Sequence, residues 1–233
     1  MQAGSRSAGW RFAIDRGGTF TDIVAWGPDG ALHTHKVLSR DPRHPGDPAL
    51  RGMQSLLERV GDGAPVLEVR LGTTVATNAL LERKGEATLL VTTRGFRDAL
   101  RIGYQNRPEI FARRIRLPEL LYGGVAEVDE RIDARGSVLL PLDVEQVRRE
   151  LARRREDGFR SVAIVFLHGF SHPAHEQRAA ELAREAGFEE VVASHAAVPL
   201  PGFVARGDTA VEDAYLTPLL RQYVARFASE VRT

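Results

Sequence analysis

The chain has 233 residues, 43% of them apolar, enough for one large domain or two small ones around a real core. Its 32 basic and 31 acidic residues nearly cancel to a formal charge of +1, which leaves no chain-wide field to draw it to nucleic acid or to an anionic bilayer. The absence of cysteine excludes a disulfide framework, a thiolate metal site and a cysteine nucleophile.

Residues 1–9 are small and polar, expected to be disordered, and lack the apolar stretch of a secretory signal; with no run long enough to span a bilayer, the expected location is the cytoplasm. Trp10 to Ile14, Phe20 to Trp26 and Leu32 to Leu38 then read as three meandering strands, the last two joined at Pro28-Asp29-Gly30. A helix is predicted from Asp47-Pro48 to Val60, stopped by Gly61. Short strands follow at Glu68 to Leu71 and Thr88 to Val91, separated by a helix from Val75 to Arg83 that Gly85 terminates. Three antiparallel strands, then helix, strand, helix and strand, is the order of the ribonuclease H-like unit on which actin-like ATPases are built.

Gly95 to Leu142 is rich in Arg, Gly and Pro and reads as loop, with a strand near Val125 to Ile132. A helix at Val144 to Asp157, a buried strand at Val162 to Leu167, a helix at Pro173 to Ala186 and a strand at Val191 to Ala193 make an additional α/β unit. A last helical pattern, Val211 to Val231, runs to the end without a cap, so the chain is expected to be a fragment. The expected division is therefore 1–9, then a phosphate-binding unit at 10–140, then a second α/β unit with the terminal helix at 141–233.

Asp15-Arg-Gly17-Gly18-Thr19-Phe-Thr21-Asp22 places a carboxylate at the end of an apolar strand, then two glycines, then hydroxyls entering the next strand. Glycines admit phosphate oxygens close to backbone N–H groups, and the hydroxyls of Thr19 and Thr21 add donors. Asp15 could hold Mg²⁺, which favours a few carboxylates alongside substrate phosphates. An ordinary glycine hairpin with an aspartate in its turn is the competing reading, and local physics leaves both open.

Asp-x-Gly-Gly-Thr-Phe-Thr-Asp resembles the first phosphate loop of the hydantoinase A and 5-oxoprolinase amino-terminal family. Gly72-Thr73-Thr74-Val-Ala-Thr77-Asn78-Ala-Leu-Leu-Glu82-Arg83-Lys84-Gly85 matches a second motif of that family. A third, Thr93 to Asp98 through Ile102 to Pro108, is similar but has Tyr104 where arginine is expected. Asp213 to Pro218 extends the likeness, with Asp213 in place of asparagine, and Gly202 to Ala205 are neutral where the family pattern is acidic.

The resemblance implies ATP and Mg²⁺ as cofactors, Asp15 as the catalytic and metal-holding residue, and Gly17, Gly18, Thr19, Thr21 and Asp22 around the nucleotide. It implies phosphoryl activation of a cyclic amide such as 5-oxoproline or a hydantoin, with a ketone carboxylase subunit of the acetone or acetophenone type as the alternative. A non-catalytic domain that binds nucleotide or a partner is the reading from a different class. Actin-like ATPases close two domains over the nucleotide, and only one phosphate loop occurs here. A remaining ATPase domain or second subunit is thus the expected partner, the full-length enzyme is expected to be oligomeric, and the fragment alone is expected to be inactive.

The second motif enters a helix, where free N–H groups at Thr73 to Ala76 favour a carboxylate or phosphate and Thr77 and Asn78 suit an amide or lactam, so Thr73, Thr74, Thr77 and Asn78 are candidate substrate contacts, although Thr73 or Thr74 can also be a plain helix cap. Arg97, Tyr104 and Arg107 are candidate contacts to a substrate carboxylate, against the alternative of a solvated basic loop. His168, His172, His175 and Glu176 invite a metal reading, but His172 before Pro173 reads as a helix cap and Glu176 as a first-turn acid. Arg148-Arg149 and Arg153-Arg154-Arg155 read as a solvated helix face rather than a nucleic-acid contact. His33 and His35 read as the exposed face of their strand.

Overall fold

The computed structural model describes residues 9–61, 63–106, 109, 111–115 and 117–231. These form two compact units, one running to Glu82 and joined by the segment from Leu220 onward, the other spanning Arg83–Leu219. The division thus falls at Glu82, not near residue 140, and the expectation for residues 1–8 lies outside the described residues.

In the first unit β1 (Trp10–Arg16), β2 (Phe20–Trp26) and β3 (Leu32–Leu38) form the expected antiparallel meander. The helix α1 (Pro48–Val60) follows, then β4 (Val66–Thr73), which returns parallel to β1 and gives the order β3-β2-β1-β4. Alternation drives the packing: Phe12 and Ile14 of β1 and Ile23 and Ala25 of β2 turn inward with Trp10 to meet Ala49, Met53 and Leu56 of α1. Gly52 lies where α1 crosses β2, and a Cβ there would overlap the Ile23 side chain. The histidines of β3 are on the less exposed side, with the His33 ring 5.4 Å from that of Trp10, while Leu32, Thr34 and Lys36 face out. That reverses the expected face, because Trp10 offers the imidazole an aromatic surface.

The helix α2 (Val75–Leu81) ends before the predicted Arg83, which adopts φ 55°. Gly85 does not stop this helix; a Cβ on it would overlap the Tyr215 ring.

In the second unit, β5 (Thr88–Thr93) is followed by the short α3 (Ala99–Ile102), β6 (Tyr122–Val128), and a hairpin of β7 (Arg131–Ile132) and β8 (Val138–Leu140). Then come α4 (Val144–Glu156), β9 (Ser161–Val165), α5 (Ala174–Glu185), β10 (Glu190–Ala193), α6 (Ser194–Ala197) and α7 (Phe203–Val231). The strand expected to extend the first sheet, β5, instead lies in the middle of an all-parallel sheet of order β10-β9-β5-β6.

Every residue of β5 and of β9 is buried. Leu89, Val91, Val162 and Ile164 pack against α4 and α5, while Leu90, Ala163 and Val165 pack with Ala210, Val211 and Ala214 of α7. Strands covered on both faces read as continuous apolar runs, and so the sequence could not assign them to a sheet. The helix α7 begins eight residues before its predicted start and carries Pro218 inside it. Gly207 allows it to approach α3 closely, since a Cβ there would come 2.5 Å from Leu100 Cδ2. No described helix is long and apolar enough to cross a membrane.

Candidate phosphate-binding site

At the end of β1 the Gly17 N–H donates to Phe20 O at 3.0 Å, closing a tight hairpin through Gly18 and Thr19. Neither Gly17 nor Gly18 has a positive φ, so the turn does not need glycine for its backbone conformation. A Cβ on Gly17 would sit 3.0 Å from Phe20 O, which gives that glycine a packing reason. At Gly18 a Cβ would meet nothing within 4 Å. Neither backbone conformation nor packing among the described residues therefore accounts for glycine at position 18.

Asp15 is exposed, and its carboxylate has no hydrogen-bond or ion-pair partner among the described residues. It pairs across the antiparallel ladder with Asp22 and across the parallel ladder with Gly72, so both aspartates stand on the outer face of the sheet. Gly72 keeps the space beside Asp15 open; a Cβ there would lie 3.6 Å from Asp15 Oδ1, and a longer side chain would cover the carboxylate. Asp22 pairs with Lys36 Nζ at 2.8 Å. Thr19 is exposed. Thr21, expected beside the nucleotide, is instead wholly buried on the inner face, its hydroxyl 3.0 Å from that of Ser39, which in turn donates to Gly17 O at 2.7 Å. Strand alternation imposes this: Thr21 and Asp22 must face opposite ways.

Arg16 joins the two motifs. Its carbonyl accepts from Thr74 N–H at 3.2 Å and from the Thr74 hydroxyl at 3.3 Å, anchoring the start of α2 to the loop. Its guanidinium donates to Asp47 Oδ2 at 2.9 Å and lies 4.9 Å over the Tyr223 ring. Asp47 is also the N-cap of α1, accepting from Ala49 N–H at 2.9 Å. Arg16 occupies the variable position of the first motif, so no sequence signal pointed to it. Thr73 accepts from Val75 N–H at 3.2 Å, whereas Thr74 makes no side-chain cap. Asn78 Nδ2 approaches the Thr74 hydroxyl at 3.4 Å, and Thr77 is exposed. The first motif and the Gly72–Glu82 part of the second therefore lie in the first unit.

The other candidates lie in the second unit. Arg97 lines a cleft of about 320 Å³ with Asp98, Arg101 and Tyr122, whose phenol burial pushes above its ordinary range. Tyr104 is 64% exposed, and Arg107 lies outside the described residues.

The histidine cluster and the arginine-rich helix have definite partners, and Arg148, Arg149 and Arg153 lie on the expected solvated face. His172 does not cap α5, whose N-cap is Pro173; its ring instead reaches Ala134 O at 3.4 Å. Glu176 is the expected first-turn acid of α5, but it is wholly buried, with donors on both oxygens, and His175 Nδ1 lies 2.8 Å from the buried Glu130. The α4 arginines have partners: Arg148 with Glu185, Arg154 with Val125 O and Arg155 with Phe159 O.

The hydantoinase/oxoprolinase N-terminal region family matches residues 11–187. A 5-oxoprolinase of Dictyostelium discoideum is 39% identical over 252 residues, covering 93% of this chain and 20% of its own length. The acetophenone carboxylase gamma subunit of Aromatoleum aromaticum is 38% identical over 228 residues, covering 87% of this chain and 30% of its own. Among solved structures, the ATP-dependent caprolactamase from Pseudomonas jessenii superposes with a TM-score of 0.82 at 30% identity, over 95% of this chain and 33% of that one. An ATP-dependent acetone carboxylase in its nucleotide-free form gives 0.79 at 21% identity, over 96% and 34%, a likeness of fold. The chain thus spans between a fifth and a third of the length of these proteins, and it carries the α/β, actin-like architecture that its motifs implied. By its match over residues 11–187, the chain belongs to the hydantoinase/oxoprolinase N-terminal region family.

Proposed function

We propose that this chain supplies the first phosphate loop of an ATP-dependent enzyme that opens a cyclic amide, such as 5-oxoproline or a hydantoin. The observation that carries the reading is Gly18, a glycine with no conformational need and open space in front of it, beside Asp15, which has no partner among the described residues. Backbone N–H groups of Gly18 and Thr19 would take phosphate oxygens, with the Thr19 hydroxyl as a further donor. Asp15 would hold Mg²⁺, with Asp22 opposite it on the same face. Lys36 offsets the charge of Asp22, which limits the repulsion between the two carboxylates.

A lactam is a poor electrophile, and bound ATP supplies the phosphoryl group that turns its oxygen into a leaving group. Thr73, Thr74, Thr77 and Asn78 would orient the amide near that loop, since Arg16 ties their helix to it. Arg97, with Tyr104 and Arg107 on the same segment, would serve a substrate carboxylate. The rest of the enzyme, as a second ATPase domain or subunit, would complete the nucleotide site.

The identity with the acetophenone carboxylase gamma subunit favours ketone activation as the second reading. Steady-state ATPase assays of the full-length enzyme against lactams, hydantoins and ketones with bicarbonate test both. ADP release stimulated by a lactam or hydantoin supports ring opening, stimulation by a ketone transfers the assignment to carboxylation, and stimulation by none supports a non-catalytic domain.

A further inference from the structure

A buried polar relay in the Arg83–Leu219 unit ends on a cleft that the phosphate-loop chemistry does not use. Its centre is Glu176, wholly buried, whose two oxygens receive four donors. Phe166 N–H at 2.8 Å and the Ser194 hydroxyl at 2.6 Å reach Oε1. His195 N–H at 2.9 Å and the His195 ring Nδ1 at 2.7 Å reach Oε2. Two of these are backbone N–H groups, which can only donate, so the carboxylate acts as acceptor throughout. The His195 ring therefore carries a hydrogen on Nδ1, and in the neutral ring Nε2 is the acceptor left outside the relay.

Behind the relay Arg206, 2% exposed, donates Nε to the Ser194 hydroxyl at 2.8 Å and a terminal nitrogen to Phe166 O at 2.7 Å. Its positive charge offsets that of Glu176. The loop before α5 is built around the same carboxylate, because a Cβ on Gly169 would overlap it.

His195 lines a cleft of about 480 Å³ beside the edge strand β10. On one side α5 contributes Gln177 and Arg184, both hydrogen-bond donors two turns apart on one helix face. On the other α7 contributes Asp213, an acceptor like His195 Nε2. Glu181 also lines the cleft but is held by Arg178 at 2.7 Å.

We propose that this cleft binds a small zwitterionic amino acid, its ammonium between His195 Nε2 and Asp213 and its carboxylate toward Arg184 and Gln177. Hydrolysis of a cyclic amide leaves an amine and a carboxylate on one molecule, so the choice of ligand class rests on the ring-opening reading, and the ligand is of the product's class. The cleft itself is independent of that reading.

The test is a titration of the 233-residue chain, without nucleotide, with L-glutamate, butylamine and glutarate as probes, read by the histidine ring ¹⁵N resonances. Glutamate is expected to shift His195 Nε2 saturably, with the amine and the diacid each weaker on the order of tenfold. Asp213→Asn and Arg184→Gln are each expected to weaken glutamate about fivefold or more while leaving the melting temperature unchanged. A His195 resonance that does not respond to glutamate, or unchanged affinity in both variants, overturns the site, and butylamine binding as tightly as glutamate overturns the zwitterion assignment. Lactam-stimulated ATP hydrolysis by the full-length enzyme is measured separately, so failure of this site and failure of the ring-opening reading give different results.

Discussion

The Arg16 carbonyl accepts both the backbone N–H and the hydroxyl of Thr74, at 3.2 and 3.3 Å, so the loop after β1 and the start of α2 share one anchor. Under the proposed function, a ligand held on the loop would thereby be placed in register with Thr73 to Asn78, as phosphoryl transfer to a bound amide would require.

If Asp15 holds Mg²⁺ as proposed, Asp15→Asn in the full-length enzyme is expected to lower Mg²⁺-dependent ATP hydrolysis by on the order of 100-fold or more, since the change keeps the shape and removes the charge that would face the metal. Circular dichroism should remain native, because the carboxylate has no partner among the described residues. Wild-type turnover would remove Asp15 from the mechanism.

Gly18→Val should leave stability within about 0.5 kcal/mol, as its side chain enters open space. Nucleotide affinity of the full-length enzyme should fall on the order of tenfold or more, because a β-branched side chain blocks approach to the backbone N–H groups. Calorimetry and thermal unfolding separate the two effects; a variant that binds normally but unfolds early would return this loop to a plain hairpin.

Asp47 has two duties, capping α1 and holding Arg16. Asp47→Ala should cost about 1 kcal/mol from the cap and more from the ion pair, whose acceptor side chain is 8% exposed. Asp47→Asn can keep the cap and lose the charge, so its smaller loss in urea unfolding isolates the Arg16 contribution. An Asp47→Asn variant as stable as the wild type would mean that the Arg16 pair contributes nothing, and equal losses in the two variants that the cap contributes nothing.

Gly85→Ala places a methyl group against the Tyr215 ring and should destabilise the chain by about 1–3 kcal/mol. Adding Tyr215→Ala should cost less than the two single losses summed, since the clash is then gone. Additivity in the cycle would show that the ring moves aside without cost.

Asp41 accepts from the His44 ring at 3.0 Å and from Arg43 N–H at 3.0 Å, and these bonds lower its pKa from 3.8 to about 2. A depressed carboxylate pKa stabilises the fold fully above the unfolded value, and that contribution is lost as pH falls from about 4 toward 2. His44→Ala should move the Asp41 titration, followed by carboxyl ¹³C NMR, back toward 3.8. An unmoved midpoint would assign the depression to Arg43 alone.

Local rules made much of this chain legible. The meander of β1 to β3, the Asp47-Pro48 start of α1 and the Gly17-Gly18 loop each depend on residues close in sequence, where alternation, capping and glycine act without the rest of the fold. Only the tertiary structure could place β5 in the second sheet, because a strand buried on both faces carries no alternation to say which neighbours cover it. Only it could turn Thr21 inward to Ser39, give Arg16 its hold on Thr74 across 58 positions of sequence, and put the first-turn acid Glu176 at the centre of a buried relay. A side chain's partners across such separations are set by how sheets and helices close on one another, and no local pattern encodes that geometry.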